Sequence, residues 1–232
     1  RGFTQNSLAN VEKIFRDVCL LELPEDGLHF DPDSLTLELT QVNAEYDGIR
    51  ANLIGYLGRS RIIIQIDIGF SDDITPNPIA INYPCYLPDL PSPALLGYPP
   101  ETVIAEKAHA IIWMGESNSR LKDFYDIWLL SEHFDFDGSV LQNAIQRTFK
   151  RRQTDYPSSL PNALTAEFAN RNQKDWERTV INKNKIPGGQ ESDFAFVVGR
   201  ITKFLIPPMQ ALVGGQIFIS CWKAGIGWQK DS

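Results

Sequence analysis

The sequence predicts an α+β fold: a strand-rich first part, residues 1–98, followed by a mainly helical second part, residues 99–232. Three observations predict it. Arg61 to Phe70 alternates isoleucine with other residues at the period of a strand. Pro76 to Pro100 is rich in proline, which fixes φ and denies the chain long regular elements there. From Glu101 onward, apolar residues recur at helical spacing in one segment after another.

The elements follow in order. Ser7 to Leu20 reads as a helix, with Ser7 as N-cap and Leu8, Val11, Phe15 and Val18 on one side. Asp26-Gly27 and Asp47-Gly48 read as turns. Leu28 to Phe30 and Leu35 to Leu39 read as two short strands. Ile49 to Leu57 and Arg61 to Phe70 form a tight hairpin across Gly58-Arg59-Ser60. In the second of these strands Ile62, Ile64, Ile66 and Ile68 share one face, and Ile63, Gln65 and Asp67 the other; so apolar a strand is expected at the centre of its sheet. Ala80 to Tyr83 is a further short strand. Helices are expected over Glu101–Met114 behind Pro99-Pro100, Ser119–Ser131, Ser139–Lys150, Ala166–Asn182 and Phe194–Leu205. The Gly- and aromatic-rich tail from Gly214 to Trp228 is expected to pack as an irregular or short-strand cap.

The totals bound the function. Of the 232 residues 43% are hydrophobic and 22% charged, the composition of a globular protein with a core that needs no staple. A net charge of −7 argues against coating long nucleic acid and leaves room only for a local basic groove. Cys19, Cys85 and Cys221 are odd in number and far apart, so they read as reduced structural cysteines and not as a thiolate zinc site. No run of about 18 apolar residues occurs, so no membrane span is expected, and no secretory signal pattern opens the chain. A cytoplasmic location is the expectation.

Three charges sit where charges are costly. On the helix over Glu101–Met114, Lys107 falls among Val103, Ile104, Ala110, Ile111 and Met114. A buried ammonium needs an anionic partner, although a snorkelling stem would also satisfy the pattern. The next helix offers Asp123 and Asp126, three apart and on one side. They could serve Lys107, or form local pairs with Arg120 and Lys122. Asp67 interrupts an isoleucine strand; it either holds a metal ion beside a triphosphate or faces solvent next to Gln65.

RIIIQIDIGF, YPPETVIAEKAHAIIWMGESNSRLKDFYDIWLL and FKRRQT, with DGLHFDPDSL and YDGIRANLIGYLG, resemble the AbiEii/AbiGii nucleotidyltransferase toxins over nearly the whole chain. The resemblance implies a polymerase-β-like nucleotidyltransferase sheet with a helical C-terminal domain. It implies Mg²⁺-dependent transfer from an NTP to an RNA acceptor, often the 3′ end of tRNA, and a cognate antitoxin as partner. It implies that Lys107 contacts the nucleotide phosphates, with Arg120 flanking the site. It also implies that Asp123 or Asp126 is an essential acid, and that Asp67 is the acid on the strand after the catalytic hairpin. The family's opening Gly-Ser turn and Asp-x-Asp strand are not found: Asp31-Pro32-Asp33 and Asp135-Phe136-Asp137 lack the turn, and Gly188-Gly189 and Gly214-Gly215 come too late. The expectation is that Arg1 follows the point where that strand would end. Two other readings remain: a catalytically inactive remnant that binds an antitoxin or RNA, and a small-molecule nucleotidyltransferase.

The basic run Arg147, Lys150, Arg151 and Arg152 reads as a phosphate or RNA contact, Arg151 foremost, or as a helix end whose cations suit the C-terminal dipole. His29, His109 and His133 have no metal-ligand spacing and read as structural.

Overall fold

The computed structural model describes residues 7–21, 27–41, 47–70, 74–86, 89–184, 186 and 189–230. Two compact units divide the chain, residues 1–72 and 73–232. The division falls earlier than residue 98, because Thr75 is tied to the second unit: its amide donates to Thr102 Oγ1 at 3.0 Å and its carbonyl accepts from that hydroxyl at 2.8 Å.

In the first unit, Ser7 Oγ accepts the Asn10 amide and starts α1, Leu8–Cys19. Three antiparallel strands follow in the order β1-β2-β3: β1 Leu28–Gln41, β2 Asp47–Leu57 and β3 Ser60–Gly69. The two short strands expected over Leu28–Leu39 are one long strand with a register shift between Asp31 and Thr36, so the ladder continues past Pro32. Asp47-Gly48 is not a turn but the first pair of β2, opposite Gln41 and Thr40. Gly58, at φ +58, forms the tight β2–β3 turn, a conformation glycine adopts freely. Val11, Ile49 and Phe70 form a small core, with Phe15, Leu37 and Ile68 packed against it. Among the described residues β3 is an edge strand, and β2 is the central one. In this chain Ile63 of β3 is 70% exposed.

The second unit opens with a hairpin: β4 Ile79–Asn82, the short strand expected at Ala80–Tyr83, pairs with β5 Ala94–Gly97, which the sequence reading did not give. Helices α2 Pro100–Met114, α3 Leu121–His133, α4 Gly138–Arg151, α5 Ala166–Trp176 and α6 Phe194–Val213 follow. The helical run of α5 continues to Asn182 as a π-helical segment. The large core is made by Ile104, Ile111, Phe124, Ile127, Phe149, Phe168, Trp176, Phe194, Phe204 and Trp222 among others. Burial explains why α6 runs through Pro207 and Pro208 instead of stopping at Leu205: Phe204, Leu205, Pro208 and Met209 all lie in that core, and their burial outweighs the lost backbone bonds. By length and composition α6 could cross a membrane, but its buried side chains are those of a core helix. The tail forms a small sheet, β6 Phe136–Asp137 with β7 Cys221–Lys223 and β8 Gly227–Gln229, which lays Trp222 and Trp228 against Phe204. Asp26 and Gly188, parts of two sequence signals, lie outside the described residues.

Candidate functional site: a lysine held between two aspartates

Two helices in quick succession build the site. Pro100 begins α2, where its missing N–H costs nothing. Gly115 ends it at φ +52, and a single 3₁₀ turn, Gly115–Ser117, leads to α3. The buried Asn118 accepts the Arg120 amide through Oδ1 at 2.7 Å and sets the start of α3. Asp123 then stands in the first turn of α3, where the helix dipole favours a negative charge.

Lys107 reaches across from α2. Its Nζ donates to Asp123 Oδ1 at 2.7 Å and lies 2.8 Å from Asp126 Oδ2. The lysine side chain is 23% exposed and that of Asp123 only 7%. The buried side chains of α2 are Thr102, Ile104, Ala105, Ala108, His109 and Ile111, so Lys107 lies at the margin of the buried face and not at its centre. A margin position lets its stem pack while its head meets the carboxylates. The local pairs are present as well: Arg120 Nε is 3.1 Å from Asp123 Oδ2, and Lys122 Nζ is 2.6 Å from Asp126 Oδ1. The readings that the sequence left as alternatives hold together, giving three cations on two carboxylates.

The electrostatics follow from this packing. Desolvation disfavours the Lys107 ammonium, but bonds to Asp123 and Asp126 outweigh it and hold its pKa above the usual lysine value. Desolvation likewise opposes ionised Asp126, and its bonds to Lys107 and Lys122 win, holding it below the usual carboxylate value. Asp123 Oδ2 is buried and lies within ion-pair distance of Arg120, yet no aligned hydrogen bond reaches it. A buried carboxylate oxygen without a donor can accept a hydroxyl proton or a hydrogen bond from a ligand. Of the three N–H bonds of Lys107, two are directed at carboxylates and one is left to point elsewhere.

Behind the cluster, α2 is locked to the end of α4. Arg152 forms an ion pair with Glu106, the neighbour of Lys107. His109, buried at 4% exposure, has Nε2 2.8 Å from Thr154 Oγ1, and that hydroxyl donates to the Arg152 carbonyl at 3.0 Å. Burial first, and the Arg152 charge second, push the His109 pKa down to about 4. No local signal announces the Glu106–Arg152 pair, because 46 residues separate its members. Arg151 is half-buried in the last turn of α4, next to Arg152.

Asp67 belongs to the first unit. Its carboxylate takes Arg50 Nε at 2.7 Å and Nη2 at 3.2 Å from the facing position on β2, and Gln65 Nε2 at 3.3 Å. The hydrogen bonds from Arg50, ahead of its charge, hold the Asp67 pKa below the usual carboxylate range.

A Mg²⁺ site needs several free oxygen ligands. Among the described residues no three His, Cys, Asp or Glu side chains are grouped to hold a metal ion, and the carboxylates of Asp67, Asp123 and Asp126 are already neutralised by cations. These residues do not by themselves fit a divalent cation.

A family model described as "Nucleotidyl transferase AbiEii toxin, Type IV TA system" matches residues 2–188. No curated protein and no solved structure matches the chain.

Proposed function

Since the chain belongs to the AbiEii nucleotidyl transferase toxins of type IV toxin–antitoxin systems, we propose that it transfers a nucleotide from an NTP to an RNA, with the 3′ end of tRNA as acceptor, and that the cluster around Lys107 is its phosphate-binding and proton-accepting site. One observation supports this above the others: an ammonium oriented by two carboxylates beside a buried carboxylate oxygen with no hydrogen bond.

The roles divide by geometry. Lys107 directs its remaining N–H at a phosphate oxygen of the nucleotide, and Asp123 and Asp126 hold it there so that little side-chain order is lost on binding. Arg120 and Lys122, 54% and 59% exposed, reach into solvent and offset the remaining triphosphate charge. In the transfer the acceptor hydroxyl oxygen bonds to the α-phosphorus, its proton passes to Asp123 Oδ2, and the bond to the leaving pyrophosphate breaks. Mg²⁺, the usual companion of an NTP, would add charge neutralisation; no step here is assigned to it. Arg151 at the end of α4 is a further phosphate contact on the acceptor. Asp67, paired to Arg50, is given no metal-binding part in this reading.

A second reading has a specific observation behind it. Every carboxylate named here is already in an ion pair, as in a protein that binds its antitoxin or RNA without catalysis. Incubation with each radiolabelled NTP, tRNA and Mg²⁺ separates the two. Label on tRNA that disappears in Lys107→Met supports transfer. No label with any NTP, together with retained RNA or antitoxin binding, supports the second reading. Label on an aminoglycoside-type small molecule and not on RNA would replace the acceptor.

A further inference from the structure

The start of α3 holds more hydrogen-bond donors than acceptors. Asn118 is 4% exposed, and its Oδ1 accepts the Arg120 amide at 2.7 Å. That bond fixes which way the carboxamide lies, because an N–H donates to Oδ1 and not to Nδ2. Nδ2 is therefore set at the head of the helix, where it is buried with no acceptor among the described residues. The first amides of α3, those of Leu121 and Lys122, likewise meet no acceptor among those residues, and the N-cap Arg120 offers no side-chain cap. The Asp123 amide turns back to the Arg120 carbonyl at 3.0 Å. Helix amides at a surface can be left to water, but a buried carboxamide donor beside them cannot, and such a group is rare without a partner.

The charge at this point favours an anion. The helix dipole is positive here, and the Arg120 and Lys122 side chains are 54% and 59% exposed. Three acids stand nearby. Asp123 and Asp126 are offset by Lys107, Arg120 and Lys122, and Glu116 accepts Asn162 Nδ2 at 3.1 Å. Asp123 lies between two cations, with Lys107 Nζ 2.7 Å from Oδ1 and Arg120 Nε 3.1 Å from Oδ2. The remaining N–H of Lys107 and the donors of α3 are thus two anion seats on either side of one carboxylate. A single phosphate fills one seat; a diphosphate carries oxygens on two phosphorus atoms and is long enough to use both. We propose that the head of α3, with Asn118 Nδ2 and the Leu121 and Lys122 amides as donors, binds one phosphate of a diphosphate whose other phosphate lies at Lys107. The ligand is the β,γ end of the nucleotide and, after transfer, the released pyrophosphate. This rests on the reading of the Lys107 cluster as a nucleotidyl-transfer site. Ser119 and Arg120, which flank Asn118, are exposed, so the ligand reaches the buried donor by a shift of these side chains and not of the core.

Titration calorimetry of the whole chain in metal-free buffer, with pyrophosphate and with inorganic phosphate, tests this. Pyrophosphate is expected to bind about tenfold more tightly than phosphate, or better. Asn118→Asp keeps an oxygen for the Arg120 amide, so the thermal midpoint should hold. It removes the donor, so pyrophosphate affinity should fall about tenfold or more. An added negative charge also repels an anion, so the contact has its own readout in amide NMR spectra. With pyrophosphate, the Asn118 carboxamide protons and the Leu121 and Lys122 amide protons should shift and saturate together with the calorimetric curve. Lys107→Met should weaken pyrophosphate while the Asn118 carboxamide still shifts with phosphate. Pyrophosphate bound no more tightly than phosphate, or bound with the Asn118 carboxamide unmoved, would overturn the proposal and leave transfer at Lys107 standing if tRNA is labelled. Pyrophosphate bound through Asn118 in a chain that labels no tRNA would uphold this seat and remove the transfer reading.

Discussion

Lys107 Nζ stands 2.7 Å from Asp123 Oδ1, and this contact between residues sixteen apart joins α2 to α3 at the rim of the large core. Breaking a buried ion pair costs about 3–5 kcal/mol when the remaining charge is left alone. Here Arg120 and Lys122 stay behind to offset the carboxylates, so a smaller figure is expected. A double-mutant cycle with Lys107→Met and Asp123→Asn should give a coupling of about 1–3 kcal/mol in urea unfolding. Strict additivity would show that the contact contributes nothing to stability. The pair should not melt near neutrality. Lys107 has a raised pKa, so its contribution is complete below the usual lysine value and lost only as pH climbs through the folded one. Asp126 has a lowered pKa, so its contribution holds above the usual carboxylate value and is lost as pH falls through the folded one.

His109 supplies a different pH window. Its folded pKa of about 4 lies below the ordinary 6.5, so the unfolded chain binds the proton more readily between these values. Stability attributable to neutral His109 is complete above pH 6.5 and falls as pH drops toward 4. From pH 7 to 5 the loss should be about 2 kcal/mol. In His109→Gln the slope of unfolding free energy against pH over this range should flatten by that amount. An unchanged slope would mean that other groups set the acid sensitivity.

Two glycines should respond oppositely to alanine. A Cβ on Gly138 would meet the Ser220 carbonyl at 2.6 Å and the Phe218 ring at 2.7 Å. Gly138→Ala must push the tail off α4, at a cost of about 1–3 kcal/mol. Gly199 is exposed within α6 and meets nothing within 4 Å. Gly199→Ala should stabilise by about 0.5–1 kcal/mol, because it removes backbone freedom from the unfolded chain. Thermal melts of both variants check the pair, and equal signs would contradict the packing.

Gln142 clamps the tail to α4. Its Nε2 donates to the Gln216 carbonyl at 2.7 Å, and its Oε1 accepts the Phe218 amide at 3.1 Å. Gln142→Leu keeps the volume but leaves both backbone groups without a partner, costing about 1–3 kcal/mol. Amide exchange at Phe218 should speed up, and protease cleavage between Gly214 and Ser220 should appear. Unaltered exchange would show that Phe218, stacked edge-on to Trp228, holds the segment without the clamp.

Local pattern carried most of the elements. Ser7 and the alternation of β3 each act within a few residues, so that cap and the strand period are readable from the chain itself. Where the sequence reading and the structure part, a long-range term won. Burial of Phe204, Leu205 and Met209 carried α6 through two prolines, and pairing with β2 bridged the irregular stretch of β1. Strand β5, the partner of the expected short strand at Ala80–Tyr83, was hidden among prolines that stand outside it.

By itself the sequence determined the α+β class, the five long helices, the β2–β3 hairpin, the family, and the residue types at the candidate site, because each depends on local period, capping or motif. The tertiary structure decided that Lys107 serves Asp123 and Asp126 at once while Arg120 and Lys122 hold them from the other side. It also decided that Asp67 is an Arg50 partner and that Arg152 returns to Glu106. Spacing along one helix ranks near neighbours only, whereas a charge is committed to whichever partners the packed core brings within about 3 Å, and that depends on how separate helices and strands meet.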